Sequence, residues 1–492
     1  MIAIGLIQIA ILFFLLLRAK GLAVMLGPEG VGVIGTMDQL IVTVTQVAAF
    51  GIPIAAMKFM SSAHSTSDDA FRDCYAAFVR IMIALSIGAA TLGIVALMFA
   101  PFLLPPPHDH FGVLHNHSGV LIASLLSVPP MMMTIMIAQT LAAAQKARAA
   151  AIYNLCFVAT VTVFGLTGAW LAGAEGFFYG AAAAGTAIVL IGMTWLWQRL
   201  GLSLLRRGVS IRHQLTMRPK VFSTAFTASI SLVSISATML LIRYVVLDQL
   251  GEESTGFLQA ALALALSVGS VLGTINALQL APIMNRDQPN ARRFQHAADF
   301  TNRVVLLMAA GAVPLALLPG LGLTILFTAE FIPASMALIL CLVWQVNSQF
   351  RASCLQILIG TDHPLSGAVA GVVSMGVTVG AVSILIEPLG ILAAPVALIL
   401  GDIVAIALML ARLATAVAMP VPWAVMARFI ATSAAILGAG LLFDPAIVFP
   451  DLQGLGLRIL YAISAFMLVW ITMPAYLSPA AAMRWLQDRY GR

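Results

Sequence analysis

The stretch IAIGLIQIAILFFLLL, residues 2–17, is an uncharged apolar run, and runs of this kind decide the fold. No basic residue precedes it and no convincing small-residue cleavage site follows, so we interpret it as a retained first helix and not as a removed signal peptide. A helix needs about 20 mostly apolar residues to cross a bilayer, and runs of that length recur along the chain. We expect about fourteen spanning helices, at residues 2–25, 32–60, 76–104, 118–142, 149–173, 176–198, 221–247, 256–284, 303–327, 334–360, 364–386, 391–413, 424–443 and 457–477.

The composition requires lipid around the chain. Of 492 residues, 61% are hydrophobic and only 9% are charged, whereas soluble domains carry about 25% charged residues. So few charges cannot cover a water-facing surface of this size. The sequence therefore predicts an all-α polytopic membrane protein.

The basic residues are distributed unevenly among the predicted loops. If the N-terminus is cytoplasmic, Lys and Arg concentrate after the even-numbered helices, most densely in the loop 199–220. The clear exception is Arg458, at the start of the last helix. Because cytoplasmic loops of membrane proteins are enriched in these residues, we expect both termini in the cytoplasm of a bacterial inner membrane. The pI of about 9.4 then reflects the Lys and Arg residues of the cytoplasmic loops and does not indicate a nucleic-acid partner.

An internal repeat links the two halves of the chain. Residues 26–32 read LGPEGVG and residues 250–256 read LGEESTG, so that Leu, Gly, Glu and Gly match at an offset of 224. At the same offset, the cations Arg18 and Lys20 bracket the position equivalent to Arg243. Repeats of this kind are found in alternating-access transporters.

A second, weaker match pairs Gln139 with Gln356 at the ends of the fourth and tenth predicted helices. Together the two matches predict two six-helix bundles related by a repeat, followed by two additional C-terminal helices. The expected divisions are an N-terminal bundle at 1–198, a basic cytoplasmic linker at 199–220, a C-terminal bundle at 221–413, and two helices with a cytoplasmic tail at 414–492.

Charged side chains inside the predicted helices indicate the ligand. A charge near the bilayer centre costs about 2.5–3.5 kcal/mol on insertion scales, so such residues face a wet cavity or a partner. Snorkelling of the first-helix cations to an interface is the alternative. The cations outnumber the acids, which favours an anionic ligand. The embedded cations are Arg18, Lys20, Arg243 and Arg351, and the embedded acids are Asp38 and Asp402.

The tenth predicted helix concentrates polar groups. It carries Trp344, Gln345, Gln349 and Arg351, and the two glutamines share a face with Gln356. Amides both donate and accept hydrogen bonds, and the guanidinium fork suits phosphate or carboxylate. The set is typical of a sugar-phosphate site. The alternative is a structural hydrogen-bond network between helices.

The outer loop 108–117 holds four of the eight histidines, which would suit a transition metal or a pH-sensitive gate. We interpret it as a solvated polar loop, and we expect neither a metal site nor a cofactor. The chain has no G-x-x-x-x-G-K-[ST] phosphate loop and no H-E-x-x-H pair. These features favour a transporter over an enzyme.

The N-terminal segments resemble a known family. Residues 18–20, the motif 26–32 and residues 50–53 (FGIP) are similar to lipid-linked oligosaccharide flippases of O-antigen, lipopolysaccharide and related polysaccharide pathways. These flippases belong to the multidrug/oligosaccharidyl-lipid/polysaccharide exporter superfamily. The resemblance implies movement of an undecaprenyl-pyrophosphate-linked oligosaccharide from the cytoplasmic to the periplasmic leaflet, driven by an ion gradient. It implies membrane lipid, polymerase and other polysaccharide-assembly proteins as partners.

On that resemblance, the four embedded cations are candidate contacts for the pyrophosphate or an acidic sugar. Asp38 and Asp402 are candidates for ion coupling. Three other functions stay open: a drug/cation antiporter of the same superfamily, a flippase for the peptidoglycan precursor, and a membrane glycan ligase or polymerase. The antiporter would favour embedded acids over embedded cations.

Overall fold

The computed structural model describes residues 2–103, 117–203, 220–284, 290–361, 363–416 and 423–471. Two 3₁₀ helices, Ala329–Ala334 and Gly390–Leu392, accompany the α-helices of these residues. The α-helices are α1 (Ile2–Ala49), α2 (Ile52–His64), α3 (Asp68–Leu103), α4 (Ser118–Leu125), α5 (Val128–Ala143), α6 (Ala147–Leu200), α7 (Lys220–Met284), α8 (Asn290–Leu317), α9 (Pro319–Leu326), α10 (Ser335–Gly360), α11 (Pro364–Leu389), α12 (Ala393–Ala416), α13 (Trp423–Leu442) and α14 (Leu452–Ile471).

Two compact units make up the chain, Met1–Gln259 and Ala260–Arg492. The first part of α7 belongs to the first unit because it hydrogen-bonds to α1: Thr43 Oγ1 donates to the Ser236 carbonyl oxygen at 3.1 Å. Residues 204–219 of the predicted basic linker lie outside the described residues. The division at 199–220 therefore stays a prediction.

Glycines fold the longest helices back on themselves. Gly27 in α1, Gly173 in α6 and Gly251 in α7 have φ values of 64°, 62° and 83°. Gly390, between α11 and α12, has φ 55°. Positive φ costs glycine little but strains residues with a Cβ, so each turn is a position that requires glycine.

The arms of α6 show that these turns are tight hairpins. A Cβ atom on Gly168 would lie 2.0 Å from the carbonyl oxygen of Gly176, and one on Gly176 would lie 2.1 Å from that of Gly168. Further along, a Cβ atom on Gly180 would meet the Phe164 carbonyl oxygen at 2.3 Å. Small residues let membrane helices approach with their backbones in contact. The two arms therefore run antiparallel from the turn at Gly173.

The described residues contain nine helical segments that are long and apolar enough to cross a membrane. The bent pair Thr301–Leu317 and Pro319–Leu326 makes a tenth when it is counted as one span. Counted in this way, the segments confirm a multi-span helical membrane protein but not the predicted number of fourteen. One reason for the difference is that a segment such as Ala147–Leu200, with 54 residues, is counted once although it reverses direction.

The bend of 89° in that pair explains the one arginine that departs from the loop pattern. Arg458 on α14 is buried, and its Nη1 donates to the Leu317 carbonyl oxygen at 2.7 Å. Its Nη2 donates to the Asp444 carbonyl oxygen at 3.2 Å, and its guanidinium lies 5.4 Å from the centre of the Phe443 ring. The last carbonyls of a helix lack partners within the helix. Arg458 therefore satisfies the broken end of α8.

Candidate functional site

An ion pair joins the two arms of α1. Arg18 Nη2 donates to Asp38 Oδ2 across the hairpin. Both side chains are half-buried, with 22% of Arg18 and 33% of Asp38 exposed. The Arg18 guanidinium also lies over the Phe177 ring, 4.7 Å from its centre. Arg18 is therefore held by an aromatic face on α6 and by a half-buried carboxylate on the other arm of α1.

The next residue along the helix, Gln39, meets a second arginine. Arg243 on α7 is 4% exposed. Its Nη1 donates to Gln39 Oε1 at 3.1 Å and its Nε donates to Gln259 Oε1 at 3.0 Å. Nη1 also donates to the Met239 carbonyl oxygen at 3.0 Å. The cation predicted from the repeat is thus buried and bonded to neutral oxygens.

Consecutive residues of one helix therefore hold two arginines from different hairpins. Asp38 binds Arg18 and Gln39 binds Arg243. Arg18 lies nine residues from the turn at Gly27 and Arg243 lies eight from Gly251. At 1.5 Å per residue both lie about 12–14 Å inside the helical bundle. Two of the predicted site cations therefore bind the same segment of α1, and the predicted acid Asp38 is the partner of one of them.

Lys20 differs from Arg18 in direction. It is half-buried and makes contacts of its own. Two helical residues are separated by about 200° around the axis, so Lys20 leaves α1 on the side opposite to Arg18. The two cations do not share one direction.

A second ion pair lies in the other unit. Arg351 Nε on α10 lies 3.1 Å from Asp402 Oδ1 on α12, and the two side chains are 15% and 4% exposed. The Trp344 indole lies beside the same carboxyl. Trp344 Nε1 and Asp402 Oδ2 are both fully buried. This pair is consequently more deeply desolvated than the Arg18–Asp38 pair.

The glutamines of α10 lie on another face of the helix. Both are buried, and a Cβ atom on Gly269 would lie 1.6 Å from Gln345 Nε2 and 3.1 Å from Gln349 Nε2. The predicted shared face is therefore present, and it packs on the Gly269 segment of α7. Arg351, six residues after Gln345, is turned by about 240° around the helix. The structure does not place these amides together with the guanidinium.

Three site residues escaped the sequence analysis, for different reasons. Gln39 follows Asp38 inside an apolar run, which is a signal that the sequence contains. Gln259 packs on Gly35, its equivalent at the offset of 224, since a Cβ atom on Gly35 would meet the Gln259 side chain at 2.5 Å. The alignment of the two repeats at this offset could have drawn attention to Gln259. For Phe177 the sequence offers no signal.

The repeat motifs themselves touch. A Cβ atom on Gly32 would lie 2.3 Å from the Glu252 carbonyl oxygen, and one on Gly256 would lie 1.9 Å from the Pro28 carbonyl oxygen. At the offset of 224, Gly32 corresponds to Gly256 and Pro28 to Glu252. The contacts are therefore reciprocal. Gly27 and Gly251 also share a conformation, with ψ −170° and −177°.

Most of the histidine-rich loop, including His108, His110 and His115, lies outside the described residues. His117 Nε2 lies 2.8 Å from Glu252 Oε1, which ties the start of α4 to the second repeat motif. Within the described ranges, no group of three or more His, Cys, Asp or Glu residues could hold a metal ion.

These elements define a multi-pass helical membrane protein with the fold of the MOP superfamily of transporters. No family model matches the sequence, and no curated protein matches it.

Three solved structures show the likeness in detail, each at 13% identity. The inward-facing form of a multidrug resistance MATE family transporter has a TM-score of 0.66 and covers 89% of this chain and 99% of its own. The lipid II flippase MurJ, in an inward closed conformation, has a TM-score of 0.67 with coverage of 95% and 98%. A MOP superfamily transporter from Pyrococcus furiosus has a TM-score of 0.56 with coverage of 89% and 94%, and its binding pocket is described as reversed in polarity.

Proposed function

We propose that this chain is a flippase that moves an undecaprenyl-pyrophosphate-linked oligosaccharide from the cytoplasmic to the periplasmic leaflet by alternating access, coupled to an ion gradient. The observation that carries the proposal is that Arg18 and Arg243 bind the consecutive residues Asp38 and Gln39 of one helix. A pyrophosphate presents several charged oxygens, and guanidinium groups bind such oxygens through paired, charge-assisted hydrogen bonds. Two arginines that bind the same segment of α1 supply the groups that such a headgroup requires.

The cost of burying these arginines supports a functional role. Each ionisable group inside a bilayer costs several kcal/mol unless it is paired or hydrated. Gln39 and Gln259 lower that cost for Arg243. Guanidinium groups held inside an apolar bundle favour an anionic substrate over a cationic drug.

A lipid-linked substrate is supported by two resemblances. The motifs at residues 18–53 resemble oligosaccharide-lipid flippases, and the fold is similar over most of its length to a flippase of lipid II. In our proposal the headgroup enters the cationic region while the lipid tail stays in the bilayer. Other polysaccharide-assembly proteins, such as a polymerase, would act on the product.

We infer fourteen spans from the hairpins. The helices that turn at Gly27, Gly173 and Gly251, and the pair joined at Gly390, each have two arms of spanning length. These eight arms, the bent pair, α3, the segment Ser118–Ala143, α10, α13 and α14 make fourteen spans. That number supports two bundles of six and two additional helices. Glycines 173 and 390 stand at an offset of 217, the same as Gln139 and Gln356.

The inferred topology has both termini in the cytoplasm of the bacterial inner membrane. In the first unit, the turns at Gly27, Gly173 and Gly251 would face the periplasm. Arg72 lies against Gly201 at the other end, since a Cβ atom there would be 3.3 Å from its guanidinium. That end carries the basic loops, which supports the cytoplasmic assignment.

The remaining candidates enter the proposal with separate roles. Arg351 and Lys20 would contact the pyrophosphate or acidic sugars, and Gln345 and Gln349 would hydrogen-bond to the glycan. Asp38 and Asp402 are the acids inside the bundle that we propose for ion coupling. A flippase for the peptidoglycan precursor is the second candidate function, because the fold is similar to that of the lipid II flippase.

The test is the leaflet in which lipid-linked oligosaccharide accumulates. In a deletion strain, spheroplasts would be treated with a membrane-impermeant labelling reagent and the lipid extracted. We expect full-length units to be shielded on the inner leaflet, and wild-type protein to restore labelling. If units reach the outer leaflet but stay unpolymerised or unligated, the protein acts after translocation as a ligase or polymerase would. Loss of viability on deletion with normal export of other glycans would favour the peptidoglycan precursor.

The same assay tests the site. We expect Arg243→Gln to reduce outward labelling about tenfold or more, since a hydrogen bond to a charged group contributes about 1.5–3 kcal/mol. Arg199→Gln is the matched control because Arg199 is exposed at the end of α6. If the two variants showed equal outward labelling at equal protein level, Arg243 would not be part of the substrate site.

A further inference from the structure

We propose that the contact between His117 and Glu252 is a pH-sensitive latch, which holds the turn of α7 against the start of α4 while the imidazole is protonated. The inference rests on the proposed function, since it takes the turns at Gly27, Gly173 and Gly251 to face the periplasm. It deepens that function by naming one group through which protons outside the membrane act on alternating access.

The latch joins two elements that are far apart in the chain. His117 directly precedes the spanning segment Ser118–Ala143, and Glu252 directly follows the turn at Gly251. His117 Nε2 lies 2.8 Å from Glu252 Oε1, and the two side chains are 21% and 37% exposed. The pair therefore lies at the end of a spanning segment, where an imidazole exchanges protons with the aqueous phase on that side.

Histidine is suited to such a latch because its charge changes between about pH 5 and 8. A neutral imidazole makes an ordinary hydrogen bond with a carboxylate, whereas a protonated imidazole makes an ion pair. Charge-assisted hydrogen bonds are about twice as strong as neutral ones. The contact between His117 and Glu252 is therefore strongest at low pH and weakens as the pH rises.

The described elements around the latch carry acids at this end. Helices α1, α3 and α6 pack on α4, and α3 has no ionisable residue between 81 and 103. Within six residues of the three glycine turns the sequence contains no Lys or Arg. Glu175 of α6 lies against α4, since a Cβ atom on Gly119 would be 1.8 Å from its Oε1. The other ionisable groups near the turns are Glu29, Tyr179, Tyr244, Asp248 and Glu253. A proton on His117 therefore adds a positive charge near two carboxylates, those of Glu252 and Glu175, and both attract it.

Glu252 also takes part in the contact between the two repeat motifs. A Cβ atom on Gly32 would lie 2.3 Å from its carbonyl oxygen, and one on Gly256 would lie 1.9 Å from the Pro28 carbonyl oxygen. One residue thus contacts α1 through its main chain and the start of α4 through its side chain. In alternating access, a contact that exists only while one side is closed favours the state closed on that side. Protons outside the membrane therefore favour the outward-closed state.

The test measures the distance between two turns in the full-length purified protein in nanodiscs. Spin labels at Leu171→Cys and Gln249→Cys, both exposed positions, report that distance by double electron–electron resonance. A Cys156→Ala background removes the exposed native cysteine. We expect the ratio of short to long distances to fall about fivefold between about pH 5.5 and about pH 8, as the charge-assisted bond is lost.

Two variants remove the latch and two serve as controls. His117→Gln keeps a hydrogen-bond donor that does not titrate, and Glu252→Gln removes the carboxylate. We expect the distances in both variants to be independent of pH. Glu253→Gln makes the same change at the next residue, which is exposed, and His363→Gln removes a histidine of the other unit. Both controls should keep the response of the wild type.

Each outcome has one meaning. Wild-type distances that are the same at the two pH values overturn the latch. A response that persists in His117→Gln or Glu252→Gln also overturns it, because another group would then carry the response. If one of these variants does not yield monodisperse protein, the other decides, and if neither does, the contact is structural and the inference is wrong.

The distance measurement is independent of the substrate. Failure of the latch therefore leaves the proposed function standing. If the leaflet assay shows normal outward labelling in the deletion strain while the purified protein keeps its pH response, the proposed flippase function alone is wrong.

Discussion

The pairs Arg18–Asp38 and Arg351–Asp402 use the same two residue types in different surroundings. The first joins the arms of one hairpin and is half-buried; the second joins α10 to α12 and is almost fully buried. Burial removes water from both charges, so opening a buried pair leaves each of them unsolvated. A half-buried pair loses less when it opens, because its charges are only partly removed from their surroundings. The comparison teaches that the same two residue types form pairs of very different burial, and therefore of different expected strength.

The largest expected effect is on the stability of the buried pair. Asp402→Asn removes the charge and keeps the shape, which leaves Arg351 buried without its counter-ion. We expect a loss of about 3–5 kcal/mol in the free energy of unfolding, against about 1 kcal/mol or less for Asp38→Asn. Denaturant unfolding of the two purified variants in the same detergent measures both. Equal losses in the free energy of unfolding for the two variants would show that burial does not make one pair stronger than the other.

A smaller effect separates stability from transport. The double variant Arg351→Met with Asp402→Leu removes both charges and fills a similar volume. Replacing a buried ion pair by apolar residues is often neutral or stabilising, so the unfolding free energy should return to within about 1 kcal/mol of wild type. If the leaflet assay then shows loss of outward labelling, the pair has a transport role. Full labelling would make the pair structural and would remove Arg351 from the proposed substrate contacts.

The smallest effect is the response to salt. Screening acts within about 8–10 Å at physiological ionic strength and reaches exposed pairs more than buried ones. The stability difference between wild type and Asp38→Asn should shrink when NaCl is raised from about 0.1 to about 1 M. The difference for Asp402→Asn should change little. Thermal unfolding of wild type and both variants across a salt series measures these differences. If the stability difference shrank equally for Asp38→Asn and Asp402→Asn, the prediction would be wrong.

The sequence predicted the fold class because composition and apolar runs are sufficient to place a chain in a bilayer. It also predicted that Arg243 corresponds in the repeat to the first-helix cations. In the structure, Arg243 Nη1 donates to Gln39, the residue that follows Asp38. An embedded charge is costly wherever the helices pack, so its position along the chain carries information by itself. The substrate role of Arg243 stays a prediction.

Pairing between helices was not predictable in the same way. Nothing in the spacing of α10 indicates that Arg351 faces Asp402 while Gln345 faces Gly269, because both directions are polar in sequence. The aromatic face under Arg18 comes from α6, far away in the chain. Periodicity describes one helix, whereas these contacts depend on which helices are neighbours.

The reciprocal contact of Gly32 and Gly256 has a consequence for how the two halves of the gene can diverge. Each glycine lies against the backbone of the other copy, so a methyl group at either position would collide with main-chain atoms that have no rotamer to change. A substitution in one copy cannot be relieved by a smaller side chain in the other, because both are already glycine. Both positions are therefore restricted to glycine by the same contact, although they lie 224 residues apart in the chain.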